Sequence, residues 1–428
     1  MKIVWIIGTE LSTNDISNNK NQLKNSGGWN NTQLKYLYET NLVRELIIIS
    51  VRPTKYKEKI EKKGKMTIYH LEYKPITTHI NMKLIDEIYQ ILIKCKPDII
   101  DIQGSETTYG AIAFLKKMPC PFLITIHGVA YQCERFYVRG FPEHTLVTNR
   151  TLYDWISFRG IYEKNILMKK RAKIEEKIIN STKYVRGRTE WDKACILFKN
   201  QKIKYYNEEL ILRKEFKNAH WDISKCDKHR IFATQANSPL KSIYTIIETI
   251  SILKGKYPDI KLVIPGHILK KGILKNGYEK LLYKRIKKFG IEENIIFTGN
   301  LDAEGMVSEL LKARVFLLQS EIENSPNSLA EAQMVGVPCI ASFTGGTPEY
   351  IKNGETGFLY NSYDPIMAAM YIQKLFEDDN LCIKLSKAET IVAKNRHCEE
   401  NITNNLITIY KDIIVNEYNI KNNKEVSN

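Results

Sequence analysis

Two glutamates, Glu323 and Glu331, stand with seven residues between them in the segment Ser320-Glu-Ile-Glu323-Asn-Ser325-Pro326-Asn327-Ser328-Leu329-Ala-Glu331-Ala-Gln-Met-Val-Gly336. An apolar run at 315–319 precedes the segment and reads as a buried strand. Pro326 suits the first turn of a helix, because the N–H it lacks would find no intrahelical partner there. Asn327, Ser328 and Leu329 then lie at a helix N-terminus, where backbone N–H groups and the helix dipole favour a phosphate; Ser325 sits in the turn before it. Glu331 falls about one turn behind that phosphate site and Glu323 in front of it. Two acids flanking a phosphate make chemical sense when they take hydroxyl groups and leave the phosphate to others.

Further candidates stand at the ends of other apolar runs. Lys241 comes after the run 230–235 and opens a helix. Gly345 and Gly346 follow the run 338–341, and two glycines let a backbone pass close to a ligand. In the first half, Gly27 and Gly28 end a polar, Asn-rich loop. His127 closes the run 121–127, and Arg188 follows the run 183–187. Thr189 with Asp192 three residues on reads as a helix N-cap, which makes Glu190 and Asp192 helix-start residues.

These positions need elements to hold them. Strands are predicted at 2–7, 45–51, 66–72, 98–103, 121–127 and 183–187, with helices at 82–94 and 163–180 between some of them. The runs are Ile/Val/Leu-rich without alternation, as in a parallel sheet covered on both faces. The stretch 205–228 is charged and irregular and reads as a connection. The rhythm then restarts, with strands at 230–235, 261–265, 294–298, 315–319 and 338–341, and helices at 242–254, 277–289, 303–313 and 327–335. A chain of 428 residues is long enough for two cores. The expected fold class is α/β, with two Rossmann-like doubly wound domains facing across a cleft: a first domain at 1–205, a linker at 206–228, and a second domain at 229–398. An amphipathic helix with Ile402, Leu406, Ile409, Tyr410 and Ile413 on one face follows in 399–428; it is expected to return to the first domain, and the last residues to fray. Ligands of such sheets bind beyond the carboxyl ends of the strands, and the candidates fall there.

The order Glu, seven residues, Glu, followed by EAQMVGVPCIAS and GGTPEYIKNGETGFL, resembles the donor site of the group 1 (family four) retaining glycosyltransferases of the GT-B type. The likeness runs from Ser320 to Leu359. The resemblance implies that Glu323 binds hydroxyls of the donor sugar and Glu331 the nucleotide ribose. It places the loop at Gly345-Gly346 beside the donor. It makes Lys241, in Ser238-Pro-Leu-Lys241, the ligand of the donor diphosphate. An Arg common five residues earlier in that family is replaced here by Ala236. The Gly27-Gly28-Trp29 loop resembles one that closes on diphosphate and acceptor. His127 matches a histidine near the reacting sugar, and Gly187-Arg188-Thr189-Glu-Trp-Asp192 resembles a segment whose Arg helps hold donor or acceptor. The implied reaction is a metal-independent transfer of a hexose to a glycan or polyprenyl-linked acceptor, in polysaccharide or glycoconjugate synthesis. It retains configuration by same-face attack, with the leaving phosphate taking the acceptor's proton. No cofactor is implied, and no DxD triplet for a divalent ion occurs in the chain.

Composition sets outer limits. The net charge of +16 is uneven: residues 1–220 hold 38 Lys and Arg against 23 acids, while residues 221–428 hold 26 against 25. Two readings stand, an anionic partner such as a membrane surface, or plain Lys-rich surface. The segment 151–160, with Tyr153, Trp155 and Phe158 ahead of a basic helix, suits a membrane interface on the first reading. No nucleic-acid motif is present, so no nucleic-acid partner is expected. The start of the chain has no cleavage site, no run is long enough to span a bilayer, and eight scattered cysteines read as reduced thiols. A cytoplasmic protein, peripheral at the inner membrane face if lipid is involved, is the expectation. The alternatives are a nucleotide-sugar epimerase of the same fold and a non-catalytic sugar-nucleotide binder.

Overall fold

A computed structural model describes residues 1–17, 28–139, 141, 143–158, 160–235, 238–266 and 276–426. Packing divides the chain into two compact units. The first holds residues 1–131, 170–211 and 397–428; the second holds 132–169 and 212–396.

The first unit is built on an eight-stranded sheet. Its strands are β1 (Lys2–Ile7), β2 (Glu45–Val51), β3 (Ile60–Lys63), β4 (Met66–Leu71), β5 (Ile99–Gln103), β6 (Phe122–Thr125), β7 (Tyr184–Gly187) and β8 (Lys204–Asn207). The order is β3-β4-β2-β1-β5-β6-β7-β8, with every pair parallel except β3 with β4. β1 and β5 are almost wholly buried, as unalternating apolar strands covered on both faces should be. The helix Met82–Cys95 shows how local sequence sets its cover. The Asn81 side chain caps it by accepting the Leu84 N–H, and Leu84, Ile85, Ile88 and Leu92 turn into the core.

The C-terminal helix Glu399–Val426 packs on this unit. Leu406, Ile409, Tyr410 and Ile413 join Ile3 and Trp5 in one core cluster. Its Tyr410 hydroxyl accepts from the Trp5 indole N–H at 2.8 Å and donates to Asp101 at 2.7 Å. Asp101 is also paired with buried Arg186 at 3.2 Å. A buried charge pair is tolerated when its remaining bonds are filled, and here Thr125 of β6 and Tyr410 from the far end of the chain fill them. The expected return of the C-terminal helix to the first domain holds, but the helix continues to Val426 where fraying was expected. That stretch contains no Gly or Pro to stop it.

The second unit carries a six-stranded, all-parallel sheet of β9 (Asp227–Ala233), β10 (Lys261–Ile264), β11 (Ile295–Phe297), β12 (Ala313–Leu318), β13 (Cys339–Ser342) and β14 (Phe358–Tyr360). The order β11-β10-β9-β12-β13-β14 is that of a doubly wound Rossmann unit, whose connections change direction between β9 and β12. Both units are therefore Rossmann-like.

Packing draws the units differently from the sequence boundaries. Residues 132–169, expected in the first domain, pack with the second: Phe141 meets Tyr244 and Tyr278 edge-on, and Asp154 accepts the Gly277 N–H at 2.8 Å. The stretch read as an irregular connection contains β8 and the short helix Lys214–Lys217. β8 is a half-exposed edge strand of only four residues, so it shows no apolar run.

Candidate functional site

In the second unit three loops meet at the carboxyl ends of the neighbouring strands β9, β12 and β13. After β9, Ser238 caps the single turn Pro239–Lys241. Ser242 follows in the left-handed region at φ 47°, unusual for a side-chain-bearing residue, and starts the helix Ile243–Lys254. Two bonds tie this turn to the loop after β12: the Glu321 N–H donates to the Leu240 carbonyl at 2.8 Å, and the buried Ser242 hydroxyl donates to the Glu321 carboxylate. Lys241 is thereby brought to Glu323, and its ammonium forms an ion pair with Oε1 of that carboxylate. The Ser320 hydroxyl donates to the same oxygen at 2.6 Å.

The loop after β13 supports Glu323 from its backbone side. The Ser342 hydroxyl donates to the Ser320 carbonyl at 2.7 Å and the Thr344 hydroxyl to the Glu321 carbonyl at 2.6 Å. The Gly346 N–H donates to the Glu323 carbonyl at 3.0 Å. Gly345 lies at φ 50°, and a Cβ added there would fall onto the Glu323 carbonyl oxygen. The paired glycines are thus a packing requirement of the Glu323 loop.

The helix Asn327–Val335 begins at Pro326 with no side chain capping its first turn. The Leu329 and Ala330 N–H groups donate to the Pro326 carbonyl at 3.0 and 3.1 Å. Leu329 therefore serves the helix start and the core, and Asn327 and Ser328 bring the amides ahead of it. Ser325 is buried in the preceding turn. Glu331 is buried on the helix and has a partner that the sequence did not reveal. Arg213 donates to its Oε1 from Nη2 at 2.7 Å and from Nε at 3.1 Å. Burial pushes the Glu331 carboxyl above its ordinary range, and the Arg213 charge works against that rise. Arg213 follows the apolar triplet Leu210-Ile-Leu212 inside the stretch taken for a connection. A lone cation closing an apolar run was the available signal.

In the first unit the residues after β5, β6 and β7 form a second cluster. Arg188, buried after β7, donates from Nη2 to Nδ1 of His127 at 2.8 Å. Burial, with Arg188 and Arg186 beside it, lowers the His127 pKa well below the usual histidine range. The ring is neutral at pH 7, and since Nδ1 accepts from Arg188, the proton sits on Nε2. Buried Glu175 accepts from the Ser105 hydroxyl at 2.7 Å and the Tyr131 N–H at 2.8 Å. Burial lifts the Glu175 carboxyl to about 7. It does the same to Glu106, which Glu175 lifts further and Arg188 lowers. Glu106 and Glu175 carry no motif and were not predicted. As expected, Thr189 caps the helix Glu190–Lys199 by accepting the Asp192 N–H, and Asp192 also accepts the Arg188 N–H.

Gly28 opens the helix Gly28–Glu39. Gly27 and Ala236 lie outside the described residues. Among the described residues no group of three His, Cys, Asp or Glu is gathered to hold a metal, and no helix is long and apolar enough to cross a membrane.

Residues 217–391 match the family described as Glycosyl transferases group 1. Over 137 residues the chain is 33% identical to the N-acetyl-alpha-D-glucosaminyl L-malate synthase of Bacillus anthracis, which is 32% of this chain and 35% of that one. It is 27% identical over 166 residues to a D-inositol 3-phosphate glycosyltransferase of Streptomyces avermitilis, 38% of this chain and 34% of the relative. The chain thus spans about a third of the length of these relatives. In fold it is similar to sucrose-phosphate synthase from Thermosynechococcus elongatus, with a TM-score of 0.70 at 14% identity over 96% of this chain and 99% of that one. Anabaena Alr3699/HepE, solved in complex with UDP and glucose, gives 0.64 at 13% identity over 96% of this chain and 100% of that one. Residues 217–391, which carry the Lys241–Glu323 pair and Glu331, are thus similar to the group 1 glycosyltransferases.

Proposed function

We propose that the chain is a retaining, metal-independent hexosyltransferase, moving a sugar from a nucleotide-sugar donor to a glycan or polyprenyl-linked glycan. Its place would be cell-surface polysaccharide or glycoconjugate synthesis, in the cytoplasm at the inner face of the membrane. One observation carries the reading: an ammonium and a carboxylate, Lys241 and Glu323, are paired at the change of direction between β9 and β12. Ligands of doubly wound sheets bind at that point.

In this reading Lys241 and the first amides of the helix Asn327–Val335 take the diphosphate, a task that metal-dependent transferases give to a divalent ion. Glu331, held by Arg213, takes the ribose hydroxyls. Glu323 takes hydroxyls of the sugar. One of its oxygens already accepts from Lys241 and Ser320, which suits a positioning group better than a nucleophile. Retention then follows from same-face attack, with the leaving phosphate receiving the acceptor's proton. The protein contributes placement and electrostatics. Neutral His127, with its proton on Nε2, is a donor for a sugar hydroxyl. HepE binds UDP-glucose and UDP, so uridine donors come first in any screen.

Donor hydrolysis tests the proposal without a known acceptor. UDP-, GDP- and ADP-sugars that raise the melting temperature would be followed for nucleotide release. Glu323→Ala and Lys241→Ala should each cut release by about 1,000-fold, on the scale of losing one preorganised charge, with the fold intact. Wild-type turnover in either variant sinks the assignment.

A further inference from the structure

The segment 147–162 places its apolar and polar residues the wrong way round for a water-soluble surface. In the short helix Leu152–Ser157 the inward residue is polar: Asp154 is 1% exposed. Thr151 and Asp154 form a reciprocal capping box, and Asp154 also accepts the Gly277 N–H at 2.8 Å. A Cβ at Gly277 would crowd Asn149 and Asp154, so the Asn149 and Gly277 backbones meet closely here. The helix is held to the second unit by this polar face. Leu152, Trp155 and Ile156, spaced i, i+3, i+4, therefore share the outer face, at 81%, 69% and 85% exposure. Val147, Phe158 and Tyr162 are exposed around them, and Phe158 sits in the left-handed region at φ 55°, a conformation that bulky residues avoid. Such a gathering of large apolar side chains in water marks a surface that something covers.

The surrounding charge says what. Residues 139–169 hold five Lys and Arg and three acids, and two of those acids, Asp154 and Glu163, are buried. Arg150 pairs with Glu163 and lies over the rings of Trp155 and Tyr162. The adjoining helix Gly277–Phe289, whose Lys284 reaches Asn149, carries exposed Lys284, Lys287 and Lys288 besides Lys280, while its Arg285 is paired with Glu248. Glu279 is spent in that helix's capping box. An apolar face with an indole at its centre, a guanidinium over that indole and a lysine-rich helix adjoining the segment complements the interfacial region of an anionic bilayer. We propose that this face, centred on Leu152, Trp155 and Ile156, docks the protein on anionic phospholipid.

The test needs neither donor nor acceptor, so it can fail while the proposed transferase activity stands, and the reverse. The full chain would be floated with vesicles of phosphatidylcholine alone and of phosphatidylcholine with phosphatidylglycerol, at low and high salt. Binding should be confined to the anionic vesicles, weaken with salt, and be accompanied by a blue shift of tryptophan emission. Trp155→Ser with Ile156→Ser should weaken it by roughly 100-fold, and Lys284→Glu with Lys287→Glu by about 10-fold. These side chains are exposed, so melting temperatures should not move. Wild-type protein that does not float at low salt overturns the proposal, as does a Trp155→Ser, Ile156→Ser variant that floats like the wild type. A wild-type dimer in sedimentation that this variant abolishes, with no flotation by either, assigns the face to a second copy of the chain and also overturns it.

Discussion

The two clusters at the carboxyl ends of the two sheets are built from different electrostatics. In the second unit each site acid meets a cation, Glu323 with Lys241 and Glu331 with Arg213. In the first unit burial pushes the groups toward their neutral forms: Glu106 and Glu175 rise to about 7, and His127 falls well below its usual range. A paired cation keeps an acid in its charged form, whereas burial without an opposite charge favours the neutral form.

The sharpest way to break the second cluster is from underneath. Gly345→Ala places a methyl group on the Glu323 carbonyl oxygen and strains a left-handed residue, so the Glu323 loop must move. A displacement near 1 Å in a positioning group costs on the order of 100-fold in rate. Nucleotide release should fall by about that factor while circular dichroism stays unchanged; full activity would show that the loop yields without disturbing Glu323.

Next comes the ion pair that the sequence did not announce. Arg213→Ala leaves Glu331 buried without its cation, at a cost of about 2 kcal/mol, since Arg213 is itself partly exposed. Thermal melting should show the loss, and the Glu331→Gln, Arg213→Ala double variant should recover most of it. Equal melting temperatures for the single and double variants would mean that Arg213 acts elsewhere.

How visible each cluster was in sequence follows from how each is assembled. The second draws Ser320 to Glu331 from one strand–loop–helix turn, so spacing alone carries its geometry, and Gly345-Gly346 lies a short way beyond. Lys241 needed only the strand before it. Arg213 did not stand out because its partner is 118 positions away. The first cluster collects 105, 106, 127, 175 and 188 from separate strand ends and a helix. Only the parallel sheet joins them, so His127 and Arg188 were readable as strand-end residues while Glu106 and Glu175 carry no motif. β8 and β3 escaped notice for the reason edge strands usually do: short, half-exposed strands carry little apolar signal. The aromatics of 151–160 were noticed, but only the inward turn of Asp154 shows which side chains face out.

The smallest expected effect sharpens the contrast through pH. Glu106 and Glu175 have folded-state values near 7 against an ordinary value of 4.5, so between those limits the folded chain holds more protons than the unfolded one. Stability contributed by such acids is present at low pH and lost as pH rises through the folded value, the reverse of a salt-bridged carboxylate. The melting temperature of the first unit should therefore decline from about pH 5 to about pH 8. Glu175→Gln removes one of the two titrations and relieves the repulsion on Glu106, so its decline should be shallower. A variant that follows the wild-type slope throughout would show that Glu175 is ionised in the folded chain, and the neutral character assigned to the first cluster would then rest on His127 alone.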